Sequence, residues 1–143
     1  MARIKIEIPG KPIGSVNIPV RITDINYGNH VGNDSIVSII HEARAQWLKS
    51  FNYSEMDMAG VSSIMSDLAV EYKRESLYGD VLEITLYAGE ISRVGFDLFY
   101  TLETNRNGNK LLIAKAKTGI VCFDYENKKV VTVPEKLKTI LVG

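Results

Sequence analysis

Cysteine is almost absent from this chain: Cys122 is the only one among 143 residues. A single thiol allows no intrachain disulfide and no multi-thiolate metal site, and it suits a reducing compartment, the cytoplasm. An excess of either charge is missing as well, with 17 basic side chains against 17 acidic ones. A general nucleic-acid or anionic-membrane binder would need a net basic surface, so neither partner is expected. No apolar run reaches the roughly 20 residues of a membrane span. The opening MARIKIEIPGKPIG carries no long apolar core of a secretory signal. Metal-ligand spacings, a Gly-x-Ser-x-Gly elbow, a phosphate loop and a dinucleotide fingerprint are all lacking, and no cofactor or metal is expected. Repeats and interdomain linkers are lacking too. What remains is one domain over residues 1–143, 45% hydrophobic and long enough to bury a core.

The strongest periodic signal is DSIVSIIHEARAQWLKSF, Asp34 to Phe51. Ile36, Ile39, Ile40, Ala43, Trp47 and Phe51 recur at helical spacing and predict one apolar stripe. Asn33 or Asp34 is the expected N-cap, because a short side-chain oxygen there accepts an otherwise unpaired backbone N–H. SVNIPVRIT, Ser15 to Thr23, alternates as a first strand. After Gly60 the period shortens to two. VSSIMSDLAVEYKRE, VLEITLYAGEIS, GFDLFYTLETN and KLLIAKAKTGIVCFD read as four long strands on Gly-containing turns. PEKLKTIL is a short closing helix with Pro134 in its first turn. One long helix followed by an antiparallel meander predicts an α+β layer fold, the helix covered by a curved sheet.

Between the first strand and the helix lies TDINYGNHVGNDS, Thr23 to Ser35, with three Asn, two Asp, two Gly and the first of only two His. Such clusters before a helix commonly serve only as loop and cap. A helix N-terminus, however, presents unpaired N–H groups with partial positive charge, and His30 can act as a base near neutral pH. Gly28 and Gly32 let the backbone turn sharply and approach a ligand.

The order strand, polar loop, long helix, meander resembles the hot-dog fold. DINYGNHVGNDSIVSIIHEAR is similar to the Asp-x-Asp-x-x-Gly-His/Ile-Val-Asn loop and helix of hydroxybenzoyl-CoA-type acyl-CoA thioesterases. VEYKRESLYGDVLEI and AKAKTGIVCFDYENKKVVTVPEKL resemble later segments of the same family. The resemblance implies a long central helix wrapped by a curved antiparallel sheet, and hydrolysis of acyl-CoA or acyl-carrier-protein thioesters. It also implies a homodimer or homotetramer, whose partner would cover an apolar face including Phe96, Leu98 and Ile113. One departure matters: the family's catalytic carboxylate position is Asn26, and an amide is neither a useful base nor a nucleophile at neutral pH. Asp24 matches the other acid of the pattern. On this resemblance His30 is the candidate base or carbonyl donor and Asn26 the orienter of water or substrate. The amides around Gly32, Asn33 and Asp34 are the candidate oxyanion donors. Asp67, a carboxylate in mid-strand that alternates with Met65 and Ala69, is the candidate to reach a partner's site and replace the missing acid. The rival reading is a non-catalytic acyl-thioester binder in which Asn26 marks lost hydrolysis. A hot-dog dehydratase or hydratase would resemble a different His loop with a downstream acid, which is not found here.

Overall fold

A computed structural model describes residues 2–143. The elements run β1 (Pro12–Pro19), a single 3-10 turn (Ile22–Asp24), α1 (Asn33–Lys49), β2 (Ser62–Tyr72), β3 (Val81–Ile91), β4 (Gly95–Arg106), β5 (Asn109–Asp124), β6 (Lys129–Val130) and α2 (Glu135–Val142). All pairings are antiparallel, in the spatial order β1-β3-β4-β5-β2, with the short β6 on β5. The four long strands match the alternating segments closely. The first strand does not: it starts at Pro12 and ends at Pro19, where the missing N–H of proline suits an edge strand. The expected strand residues 22 and 23 are wound into the 3-10 turn.

Helix α1 lies against the concave face of the sheet, the arrangement expected of a hot-dog fold. Its stripe of Ile36, Ile39, Ile40, Ala43 and Trp47 is buried, and Leu48 joins it. Phe51 lies beyond the helix end and is exposed. Facing the helix are Leu82, Ile84 and Leu86 of β3, Phe96, Leu98, Tyr100 and Leu102 of β4, and Ala114, Ala116, Thr118, Ile120 and Cys122 of β5. Phe96, Leu98 and Ile113 are therefore core residues and not a face awaiting a partner: they are buried in the same hydrophobic cluster as the α1 stripe and Leu137 and Leu141 of α2. Cys122 is fully buried there, and burial pushes its thiol up to about 11, which leaves it unreactive.

Two features depart from simple periodicity. Arg44 is buried in the same stripe, where its Nη1 donates to the Tyr100 hydroxyl at 3.3 Å and Nη2 lies 3.7 Å from Glu55. The Tyr100 hydroxyl also bonds Thr118 at 2.7 Å, and burial pushes the phenol up. The second is a bulge in β2 between Met65 and Asp67. Met65 opposes Ile120 on the concave side, while Asp67 opposes Gly119. The expected alternation of Asp67 with Met65 on one face is thus broken, since an extra residue re-aims the side chains that follow.

Candidate active site

Backbone hydrogen bonds at both ends fasten the polar loop to the β2–β3 turn. Val20 N–H donates to Asp80 O at 2.9 Å, and Val31 N–H donates to Ser76 O at 2.8 Å. Within the loop, Ile25 and Val31 pair as an isolated bridge. Asn26 N–H then donates to His30 O at 2.9 Å, and Asn29 N–H to Asn26 O at 3.1 Å. The sharp bend falls on Asn29, at φ 64, and neither Gly28 nor Gly32 is left-handed. Asparagine tolerates that region better than most residues. The two glycines serve close approach instead. A β-carbon on Gly28 would meet His30 Nε2 at 3.2 Å and Asn26 Oδ1 at 3.3 Å. One on Gly32 would meet Asp34 Oδ1 at 2.6 Å and Asn26 Nδ2 at 3.8 Å. Asn26, His30, Gly28 and Gly32 are thus brought together, as the loop pattern anticipates.

His30 is partly buried, with Nδ1 3.1 Å from Val31 O. A carbonyl only accepts, so Nδ1 carries the hydrogen of that bond, and the neutral ring keeps its lone pair on Nε2. Asn26 Oδ1 accepts Gly28 N–H at 2.8 Å, which fixes the amide and turns Nδ2 toward Gly32. The helix N-terminus contributes less than its three amides suggest. Gly32, not Asn33 or Asp34, is the N-cap residue, and no side chain caps the helix. Its N–H is taken by Asp24 O at 3.0 Å, and Asp34 N–H by the Asn33 side chain at 2.9 Å. Among the described residues Asn33 N–H has no partner, as expected for the first helical amide.

Asp24, Asp67 and Glu42 are occupied. Asp24 is buried, and its carboxylate accepts Arg21 N–H at 2.8 Å and pairs with the Arg21 guanidinium at 3.4 Å. It locks the 3-10 turn. Asp67 receives Lys117 Nζ on both oxygens, at 2.8 and 2.9 Å, and Gly119 N–H at 2.9 Å. The hydrogen bond from Lys117 holds its carboxyl below the ordinary value. Glu42 on α1 accepts from Gln46.

Beside the loop is a cavity of about 300 Å³ lined by His30, Asn33, Ile36, Tyr72, Glu75 and Ile113, among others. Its lining is mostly apolar, and the end of β2 contributes Tyr72 to it. Tyr72 donates its hydroxyl to Asn33 O at 2.9 Å. Burial, and then the charge of Asp34, pushes the phenol up, so it stays a donor. Trp47 and Tyr100, by contrast, are core residues. Among the described residues no three His, Cys, Asp or Glu side chains gather as metal ligands, and no helix is long and apolar enough to cross a membrane.

The β2–β3 turn owes its shape to Asp80, which sequence reasoning left without a role. Its carboxylate accepts Ser76 Oγ at 3.0 Å, Leu77 N–H at 2.9 Å and Arg106 Nη2 at 2.6 Å. Burial pushes this carboxyl up, but Arg106, the Leu77 amide and the Ser76 hydroxyl outweigh it and hold it below the ordinary 3.8. A carboxyl depressed in the folded state contributes stability that is complete above its unfolded value and is lost as pH falls through the folded one. Asp80→Asn should therefore cost about 2 kcal/mol at neutral pH. Between about pH 4 and 2 the wild type should lose part of that advantage, so its melting temperature falls toward the variant's. Thermal melts of both proteins across that range check this.

A family model described as the thioesterase-like superfamily matches residues 20–141. A protein of Aquifex aeolicus named "Putative esterase" is 32% identical over 102 residues, which is 70% of this chain and 75% of that one. A protein of Pseudomonas aeruginosa titled a "putative Thioesterase" has a solved structure that aligns at TM-score 0.81. It is 19% identical and is covered over 98% of its length by 90% of this chain. The 1,4-dihydroxy-2-naphthoyl-CoA thioesterase from Synechocystis aligns at TM-score 0.75 with 19% identity, covering 90% of this chain and 94% of that one. At such identities the two structures speak for the fold.

Proposed function

We propose that this chain, which belongs to the thioesterase-like superfamily, hydrolyses acyl thioesters of coenzyme A or of an acyl carrier protein to free acid and thiol. The observation that carries this reading is the convergence of His30 and Asn33 on one apolar cavity at the N-terminus of α1. Water attacks the thioester carbonyl carbon and gives its proton to His30 Nε2, the ring nitrogen left free by the Val31 carbonyl. The free amide of Asn33 steadies the developing oxyanion, aided by the partial positive charge of the helix end. Collapse breaks the C–S bond, and the imidazolium returns the proton to the departing sulfur. Asn26, held by Gly28, orients the water or the substrate. Gly28 and Gly32 keep the loop close enough for both. Neither a metal nor a cofactor enters this route.

At about 300 Å³ the cavity lies at the small end of ligand sites, which favours a short or single-ring acyl group. A panel of acyl-CoAs graded in size, with matching carrier-protein thioesters, tests both points. Thiol release should be fastest with compact acyl groups and should fall with chain length.

One observation favours the rival reading of a non-catalytic acyl-thioester binder: an amide occupies the position of the family's acid at Asn26. A protein that binds the panel by calorimetry but releases no thiol is that binder.

The assembly belongs to the same proposal. Strand β2 ends the sheet, and α1 leaves its concave side open at Met65, Leu68 and Tyr72, all exposed. An uncovered edge of this kind invites pairing with a second copy. Light scattering at micromolar concentration should give a mass at least twice that of the chain, and a monodisperse monomer would contradict the assembly.

A further inference from the structure

The hydrolytic reading leaves the missing carboxylate unexplained; two of the acids nearest in sequence or in expectation are engaged elsewhere, and a third does not line the cavity. Asp24 is buried against Arg21, and Asp67 is held by Lys117 and the Gly119 amide. Asp34 folds back over the Gly32 backbone, outside the cavity that His30 lines. One acid does line that cavity. Glu75, in the β2–β3 turn, places Oε1 3.8 Å from His30 Nε2. Its backbone is fixed independently of that approach. The Glu75 carbonyl accepts Arg106 Nη2 at 3.3 Å, and the adjacent Ser76 carbonyl accepts Val31 N–H, one residue from His30.

We infer that Glu75 supplies the carboxylate that Asn26 cannot, acting with His30 on the attacking water. This rests on the hydrolytic reading above. The free Nε2 and an ionised carboxylate are both acceptors, so no proton joins them directly. A water about 2.8 Å from each could donate to both, which turns an oxygen lone pair toward the cavity where the thioester carbonyl lies. As that oxygen bonds to the carbonyl carbon, its proton passes to Nε2, and the Glu75 charge stabilises the imidazolium so formed. The C–S bond then breaks, and His30 returns the proton to sulfur. Glu75 ends the cycle ionised, as it began. Its side chain is 70% exposed in the absence of substrate, where solvent screens the pair. An acyl thioester seated over the cavity mouth removes that screening, so the carboxylate gains strength as the reaction proceeds.

The test uses the full chain and the best acyl-CoA of the panel. Glu75→Gln should lower kcat about 10-fold or more with KM within about twofold, the pattern of an interaction made in the transition state. Its melting temperature should be unchanged, because among the described residues His30 is the one polar partner of this exposed side chain. Asn26→Asp should raise turnover by a larger factor in Glu75→Gln than in wild type, whereas a merely structural role for Glu75 would give equal factors in the two backgrounds. Wild-type-like kcat in Glu75→Gln, or a raised KM with kcat intact, overturns the assignment while leaving hydrolysis standing. An equal or larger loss confined to Asp34→Asn moves the carboxylate to Asp34 and also overturns it. A wild type that releases no thiol removes the hydrolytic reading, and this one with it.

Discussion

Replacing His30 with alanine is expected to lower turnover of an acyl thioester by about 10²-fold, the floor of acid–base catalysis, with little change in acyl-CoA affinity. The imidazole is needed when a proton moves and contributes little to ground-state binding. An interaction confined to the transition state lowers kcat and kcat/KM together. The ring is partly buried and makes one backbone hydrogen bond, to Val31 O, so the fold should survive its loss. A stable His30→Ala protein with unchanged turnover would remove His30 as the base. A protein that instead melts early with normal turnover would make the ring a packing element of the loop. Steady-state kinetics paired with a thermal melt separates these outcomes.

Converting Asn26 to aspartate should raise turnover. The substitution is nearly isosteric, and one carboxylate oxygen can keep the Gly28 N–H that Asn26 Oδ1 now accepts at 2.8 Å. The other replaces Nδ2, which faces the space left by Gly32. A positioned general base commonly contributes ~10²–10⁴-fold. A gain of about 10-fold is expected in the wild-type background, below that range because Glu75 already acts on the water. The factor should be larger when Glu75 is glutamine. The new charge would lie near Asp34, whose Oδ1 occupies the same space beside Gly32. With the native amide, Nδ2 can face that oxygen without repulsion, a physical reason for an amide at this position. A folded variant with no gain in either background would show that the loop does not present residue 26 to the reacting water.

The contrast between Asp67 and Glu75 marks how far the sequence could be read. Long-period and short-period patterns carried the fold. Ile36 through Trp47 placed α1 almost to the residue, and alternation after Gly60 placed β2 to β5. These signals are local, so they survive without tertiary information. The closeness of the loop residues was legible for the same reason, since Asn26, Gly28, His30 and Gly32 lie within seven residues of one another.

What failed depended on register and on distance along the chain. The bulge beside Ser66 is a tertiary adjustment of β2 to β5, and it reversed the facing of Asp67 relative to Met65. The turn that brings Glu75 to His30 lies 45 residues downstream in sequence and meets the loop through the Val31–Ser76 backbone bond. No periodicity announces such a meeting. The capping pattern misled for another reason: Asn33 uses its side chain on the Asp34 amide, so Gly32 becomes the cap residue and Asn33 N–H is left free. One overlooked residue did carry a signal. Arg44 stands four residues after Ile40 and three before Trp47, on the buried stripe, and its spacing alone placed it in the core.

The central claim is that this chain splits acyl thioesters with water, and the most direct measurement is the simultaneous appearance of thiol and free acid from a compact acyl-CoA. The wild-type protein should release the two in equal amounts, well above the rate of buffer alone and in proportion to protein concentration. Thiol release that stays at the buffer rate across the panel, in a folded protein shown to bind the same acyl-CoA, would contradict the account.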